Sequence, residues 1–201
     1  MTTTLLIQSE SASFPVSLPD LAPMSTEEFY QFCQANRDLR IERTAQGEVI
    51  VMPPAFSDTG HRNFNIAAYL WVWSEGDNTG LGFDSSTGFT LPNGAVRSPD
   101  ASWIKKDRWQ QLSDNQKASF APICPDFVIE LRSNSDTLKG LQNKMVEYIE
   151  NGAILGWLID RKNRQVYIYR PNRKPEILDN PDVVNGDPEL TNFQMPMAKI
   201  W

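Results

Sequence analysis

PDFVIELRS, residues 125–133, decides how the rest of the chain is read. The β-branched and aromatic content of so short a run predicts a strand. Successive side chains on a strand point to opposite faces. Phe127, Ile129 and Leu131 therefore share an apolar face, and Asp126, Val128, Glu130 and Arg132 share the other. A carboxylate and a guanidinium stand side by side on what reads as a core strand. Buried charges need partners, so the explanation has to come from other parts of the chain.

After the strand comes a polar loop, SNSD, and then TLKGLQNKMVEYIENG, a helix that ends at Gly152. At about 100° per residue, Leu138, Leu141, Met145, Tyr148 and Ile149 form one apolar arc, with Lys144 at its edge. If that arc packs on the sheet, the Lys144 ammonium can reach the end of the Glu130 strand. ILGWLID and QVYIYRP read as two further strands joined by the turn-like RKNR. Upstream, STEEFYQFCQANRD opens with a Ser25/Glu28 capping box and predicts a helix. LRIERTAQGEVIVMPP predicts a hairpin turning at Gln46-Gly47. The apolar spacing over residues 58–76 predicts a long helix. FDSSTGFTLPNGAVRSPDASWI predicts a second hairpin turning at Pro92-Asn93-Gly94, and Ser113 starts a shorter helix. The tail beyond Pro171 is expected to be irregular. Strands and helices interleave, which predicts an α/β fold with a central mixed β-sheet flanked by helices.

A chain of 201 residues suits one domain. The Ser/Thr/Pro-rich start predicts a flexible arm over residues 1–24 ahead of a single domain over 25–201. That start lacks the basic and long apolar regions of a secretory signal, and AAYLWVW at 67–73 is too short to cross a bilayer. The two cysteines, Cys33 and Cys124, lie far apart among apolar neighbours, as expected of reduced thiols in a cytoplasmic protein. His61 is the one histidine, so neither a zinc cluster nor a Ser-His-Asp triad is supported. A net charge of −6 argues against coating nucleic acid by charge alone. Two basic clusters remain, Lys105, Lys106 and Arg108, then Arg161, Lys162, Arg164, Arg170, Arg173 and Lys174. Such runs usually form a solvated face, with a local basic patch that approaches DNA as the alternative.

Three residues converge on one chemistry. Asp100, in RSPDASWI, sits near the start of a strand; Glu130 is on the next strand along the chain; Lys144 is on the helix after it. Two carboxylates with a cation nearby suit Mg²⁺, which prefers oxygen ligands and takes only one or two carboxylates from protein. Such a site fits phosphodiester hydrolysis, where metal and cation together neutralise developing phosphate charge. Plainer readings stay open on pattern alone. Pro99-Asp100 also reads as a plain strand start, Glu130 and Arg132 as an ion pair facing water, and Lys144 as a snorkelling side chain. Glu42, on the first hairpin, is a further acid that could point to the same end of the sheet, and its rival Glu48 sits at the turn.

Three blocks, RIERTAQGEVIVMPP, GFDSSTGFTLPNGAVRSPDASWI and CPDFVIELRSNSDTLKGLQNKMVEYIENGAILGWLID, resemble in order the Uma family of restriction endonucleases, over about Leu39 to Pro171. The resemblance implies a restriction-endonuclease-like fold of the PD-(D/E)XK superfamily and a metal-dependent endonuclease acting on DNA with Mg²⁺ or Mn²⁺. By analogy it also implies a homodimer. It matches Asp100 and Glu130 to the metal ligands and Glu42 to an acidic position of the first hairpin. The superfamily's lysine, two residues after the glutamate, is replaced by Arg132, which cannot act as a base but could hold the scissile phosphate. Lys144 stands where a migrated lysine would orient or activate water. A module that kept the fold and lost the chemistry, and a protein-interaction domain drawing on the aromatic residues, are the alternatives.

Overall fold

The computed structural model describes residues 3–8 and 13–18 as backbone and 24–201 in full. The arm expected over 1–24 therefore falls partly outside the described residues. Its two described stretches, β1 (Thr3–Gln8) and β2 (Ser13–Leu18), pair antiparallel. Helix α1 (Thr26–Ala35) starts at the expected capping box, with the Glu28 amide donating to Ser25 Oγ and the Ser25 amide to Glu28 Oε2. β3 (Arg40–Arg43) and β4 (Val49–Met52) form the first hairpin, with Glu42 opposite Ile50. Helix α2 (Ser57–Asp77) follows, and it buries Ile66 and Leu70.

The second expected hairpin is divided between two sheets. β5 (Gly80–Asp84) pairs with β8 (Ala101–Lys105), whereas β6 (Phe89–Thr90) and β7 (Val96–Arg97) pair with each other between them. β7 also pairs with β3, which joins it to the sheet of the first hairpin. Pro99 lies between β7 and β8, where it has no N–H to extend a ladder. The chain changes sheets there, and Asp100 lands at the seam.

Short helices α3 (Lys106–Gln110) and α4 (Asp114–Lys117) lead to β9 (Phe127–Leu131), the strand that carries Glu130. Helix α5 (Leu138–Glu150) then carries the chain to β10 (Leu155–Asp160), which lies parallel to β9. β11 (Gln165–Tyr169) returns antiparallel. The tail, expected to be irregular, supplies β12 (Glu176–Asp179), β13 (Val183–Asn185) and β14 (Gln194–Pro196). These strands are too short for alternation to reveal them, and β12 is held by its ladder to β11. The main sheet runs β12-β11-β10-β9-β8-β5, and its mixed character comes from the β9–α5–β10 crossover.

The alternation read from β9 separates two packed layers. Phe127, Ile129 and Leu131 join Ile66 and Leu70 of α2, with Trp103, Trp157 and Phe193 in the same cluster. Trp157 and Phe193 stack with centroids 5.3 Å apart. Val128 faces the other way, into the cluster formed by Leu141, Met145 and Tyr148 of α5. Gly156 lets α5 approach the sheet, because a Cβ there would collide with Met145 Cε. Glu130 lies on this α5 face near the end of β9, only 5 % exposed. Of the six tryptophans, Trp71 alone is exposed, so the aromatic content is mostly core material. Among the described residues, no helix is long and apolar enough to cross a membrane.

Candidate active site

The seam between the two sheets opens into a cavity of about 430 Å³. Glu42 from β3, Asp100 from the seam, Glu130 from β9 and Lys144 from α5 all line it, four of the five side chains singled out from sequence. Arg132 does not. Its Nη1 is 2.9 Å from Oδ2 of the fully buried Asp160, and its Nε donates to the Asp136 carbonyl. Arg132 lies just past β9, where the strand ends and alternation no longer governs direction. Where a phosphate-holding role was expected of it, the guanidinium here ties the end of β9 to the end of β10.

Lys144 is the centre of the polar network. Its Nζ is 2.9 Å from Glu42 Oε1 and 2.9 Å from Glu130 Oε1. The hydroxyl of Tyr148, one helical turn further along α5, donates to the same Glu130 oxygen at 2.9 Å. Glu42 also accepts from the Ser98 amide at 2.9 Å and from Arg97, whose Nε in turn donates to Glu147 at 2.6 Å. Asp100 is fixed from two sides, by the Leu131 amide on Oδ2 at 2.8 Å and by Asn63 Nδ2 of α2 on Oδ1 at 3.0 Å.

Burial and neighbours set the charges. Burial pushes Glu130 up, and although Lys144 opposes this, Asp100 and Glu42 add to it, leaving a pKa of about 7. Burial also raises Asp100, against the Leu131 amide, Lys144 and Arg40. At Glu42 burial works toward the acid form, but Lys144, Arg97 and the Ser98 amide outweigh it and lower the pKa. Burial likewise disfavours the Lys144 ammonium, yet Glu130 and Glu42 prevail and raise it above the ordinary lysine range. Tyr148, raised by burial and by Glu130, keeps its hydroxyl proton. Lys144 is therefore held as a cation and a hydrogen-bond donor.

The donor set fits a divalent cation. Five carboxylates line the cavity, from Glu42, Asp100, Glu130, Asp136 and Glu147, against the three cations Arg40, Arg97 and Lys144. The excess is two negative charges, and a carboxylate titrating near neutrality is one that a cation would hold ionised. Among the described residues, no three His, Cys, Asp or Glu side chains gather into a metal cluster. A pair of carboxylates is what remains, and Mg²⁺ accepts one or two.

Sequence reading missed Arg97, Glu147, Asn63 and Arg40, and placed Tyr148 only in the apolar arc. Tyr148 at i+4 and Glu147 at i+3 from Lys144 were open to a helical-spacing argument. Asn63 and Arg97 arrive only through tertiary packing. The basic clusters at 105–108 and 161–174 line no part of the cavity. His61 is exposed in the first turns of α2, with Asn65 as its side-chain neighbour.

A mixed sheet flanked by helices, with acids from β3, the seam and β9 around one cavity, defines a restriction-endonuclease-like fold. The solved structure of a putative nuclease belonging to DUF820 from Anabaena variabilis matches with a TM-score of 0.70 at 19 % identity, covering 89 % of this chain and 97 % of that one. The model of the Uma2 family, described as putative restriction endonuclease, matches residues 26–198, and the chain belongs to that family. No curated protein matches the chain.

Proposed function

We propose that the cavity hydrolyses phosphodiester bonds of DNA with Mg²⁺ or Mn²⁺ as its cofactor. The observation that carries this reading is the convergence of Asp100 and Glu130, from separate stretches of chain, on one acid-rich cavity beside a buried lysine. Asp100 and Glu130 would hold the metal, which supplies activation of water and neutralisation of phosphate charge. The Leu131 amide and Asn63 orient Asp100, and Tyr148 orients Glu130. Glu42, secured by Arg97 and Ser98, places the Lys144 ammonium against Glu130. From there Lys144 can orient the attacking water by hydrogen bonding and offset charge as it develops on the phosphate.

The test is nicking of supercoiled plasmid by purified protein in Mg²⁺ and in Mn²⁺. Asp100→Ala and Glu130→Ala should each abolish metal-dependent nicking, and retained activity in either refutes the assignment. A second reading, a DNA-binding module without turnover, is favoured by two observations: Arg132 is turned to Asp160, and the cavity's lysine is held protonated. Salt-sensitive binding with no cutting by the wild type in either metal would select it.

A further inference from the structure

Three cations line the cavity, and two are already paired. Arg97 bridges Glu42 and Glu147, and Lys144 bridges Glu42 and Glu130. Arg40 is different. Its Nε is buried with no hydrogen-bond partner, and its guanidinium makes no hydrogen bond or ion pair among the described residues. Arg40 stands two residues before Glu42 on β3, so both side chains lie on the strand face that meets the cavity. The contrast with Arg43 on the opposite face is informative. Arg43 donates to the carbonyls of Met24, Ser25 and Gly94 and to Thr26 Oγ1, and it lies over the Phe29 ring. Arg43 is a structural arginine with its donors committed, whereas Arg40 has donors left over.

A buried Nε–H without an acceptor is costly to keep unless something occupies it, and the half-buried guanidinium leaves its Nη donors facing the cavity. The group that suits its planar fork is a phosphate, which accepts two parallel N–H bonds. Arg40 also sits near enough to Asp100 to favour the ionised carboxylate. A phosphate on Arg40 would therefore lie beside the proposed metal ligands. We propose that Arg40 binds a backbone phosphate of the polynucleotide at the mouth of the cavity, the role expected of Arg132 from sequence. This rests on the nuclease reading for its ligand, and on β3 geometry and the idle guanidinium for its place.

The experiment measures binding of a fluorescently labelled DNA duplex by anisotropy in Ca²⁺ over a range of salt, with nicking in Mg²⁺ followed separately. Arg40→Met keeps the apolar stem and should fold, and Arg40→Lys keeps the charge without the fork. Arg40→Met should weaken duplex binding about tenfold and flatten the dependence of log Kd on log salt by about one. Arg40→Lys should retain the salt slope. A wild type that nicks while Arg40→Met binds with unchanged affinity and slope overturns the Arg40 assignment and leaves the nuclease reading standing. A wild type that never nicks, with binding lost in Arg40→Met, supports the phosphate contact and removes the hydrolytic reading. A wild type that binds no duplex at low salt overturns the assignment.

Discussion

Replacing Glu130 by Gln gives the sharpest physical forecast. Gln keeps the size of the side chain and an oxygen to accept from Tyr148, while Lys144 retains Glu42 at 2.9 Å. Only the titrating charge is lost. In the unfolded chain Glu130 ionises near 4.5, and in the folded chain near 7. Between those values the native state holds a proton that the unfolded state has released, so stability must fall as pH rises. The contribution is fully present below about 4.5 and gone above about 7, and its size is about 3 kcal/mol. Urea unfolding of the wild type and Glu130→Gln at pH 5 and pH 8.5, without added metal, reads it directly. Since pH 5 lies just above the unfolded value, the wild type should lose about 2.5 kcal/mol more than the variant between the two conditions, with equal m-values. Parallel pH dependences in the two proteins would refute the claim that Glu130 is a strained, buried acid.

Lys144→Met should destabilise by about 3–5 kcal/mol at pH 8.5, because it strips a shared cation from two buried carboxylates. The loss should shrink at pH 5.5 as Glu130 takes up its proton, which thermal melts at the two pH values would show. Arg132→Ala should cost about 2–3 kcal/mol in urea by weakening the hold on buried Asp160, and should leave plasmid nicking intact. Lost nicking at full stability would return the phosphate role to Arg132. Gly80→Ala should destabilise by about 3 kcal/mol, since its Cβ would meet the Trp103 ring and the Ile104 carbonyl. Gly156→Ala should cost nearer 1 kcal/mol, because the flexible end of Met145 can move aside.

The fold was legible where patterns were long or chemically marked. The capping box at Ser25, the apolar arc of α5 and the alternation of β9 each appear in the structure as read. The run from Phe83 to Ile104 was harder, since turn chemistry at Pro92-Asn93-Gly94 says where the chain reverses and not which sheet each strand joins. Pro99 marks the break, but only the ladders of β7 to β3 and β8 to β9 show its result. The strands of the tail, three or four residues each, carry too few side chains for a periodicity to register. At the site, strand and helix patterns singled out Asp100, Glu130, Lys144 and the further acid Glu42, and resemblance added the roles matched to them. Arg132 follows the last register residue of β9, and its direction is set there by Asp160 and the Asp136 carbonyl, which alternation does not show. Arg40, two residues from Glu42, was within reach of the same alternation.

A shared divalent cation between Asp100 and Glu130, as proposed above, is open to direct test in a crystal soaked in Mn²⁺. Anomalous scattering should reveal a single strong peak within coordination distance of both carboxylates, and it should vanish in Asp100→Asn. Saturating Mn²⁺ with no peak between those two side chains, or with the ion seated elsewhere in the molecule, would rule out the shared site.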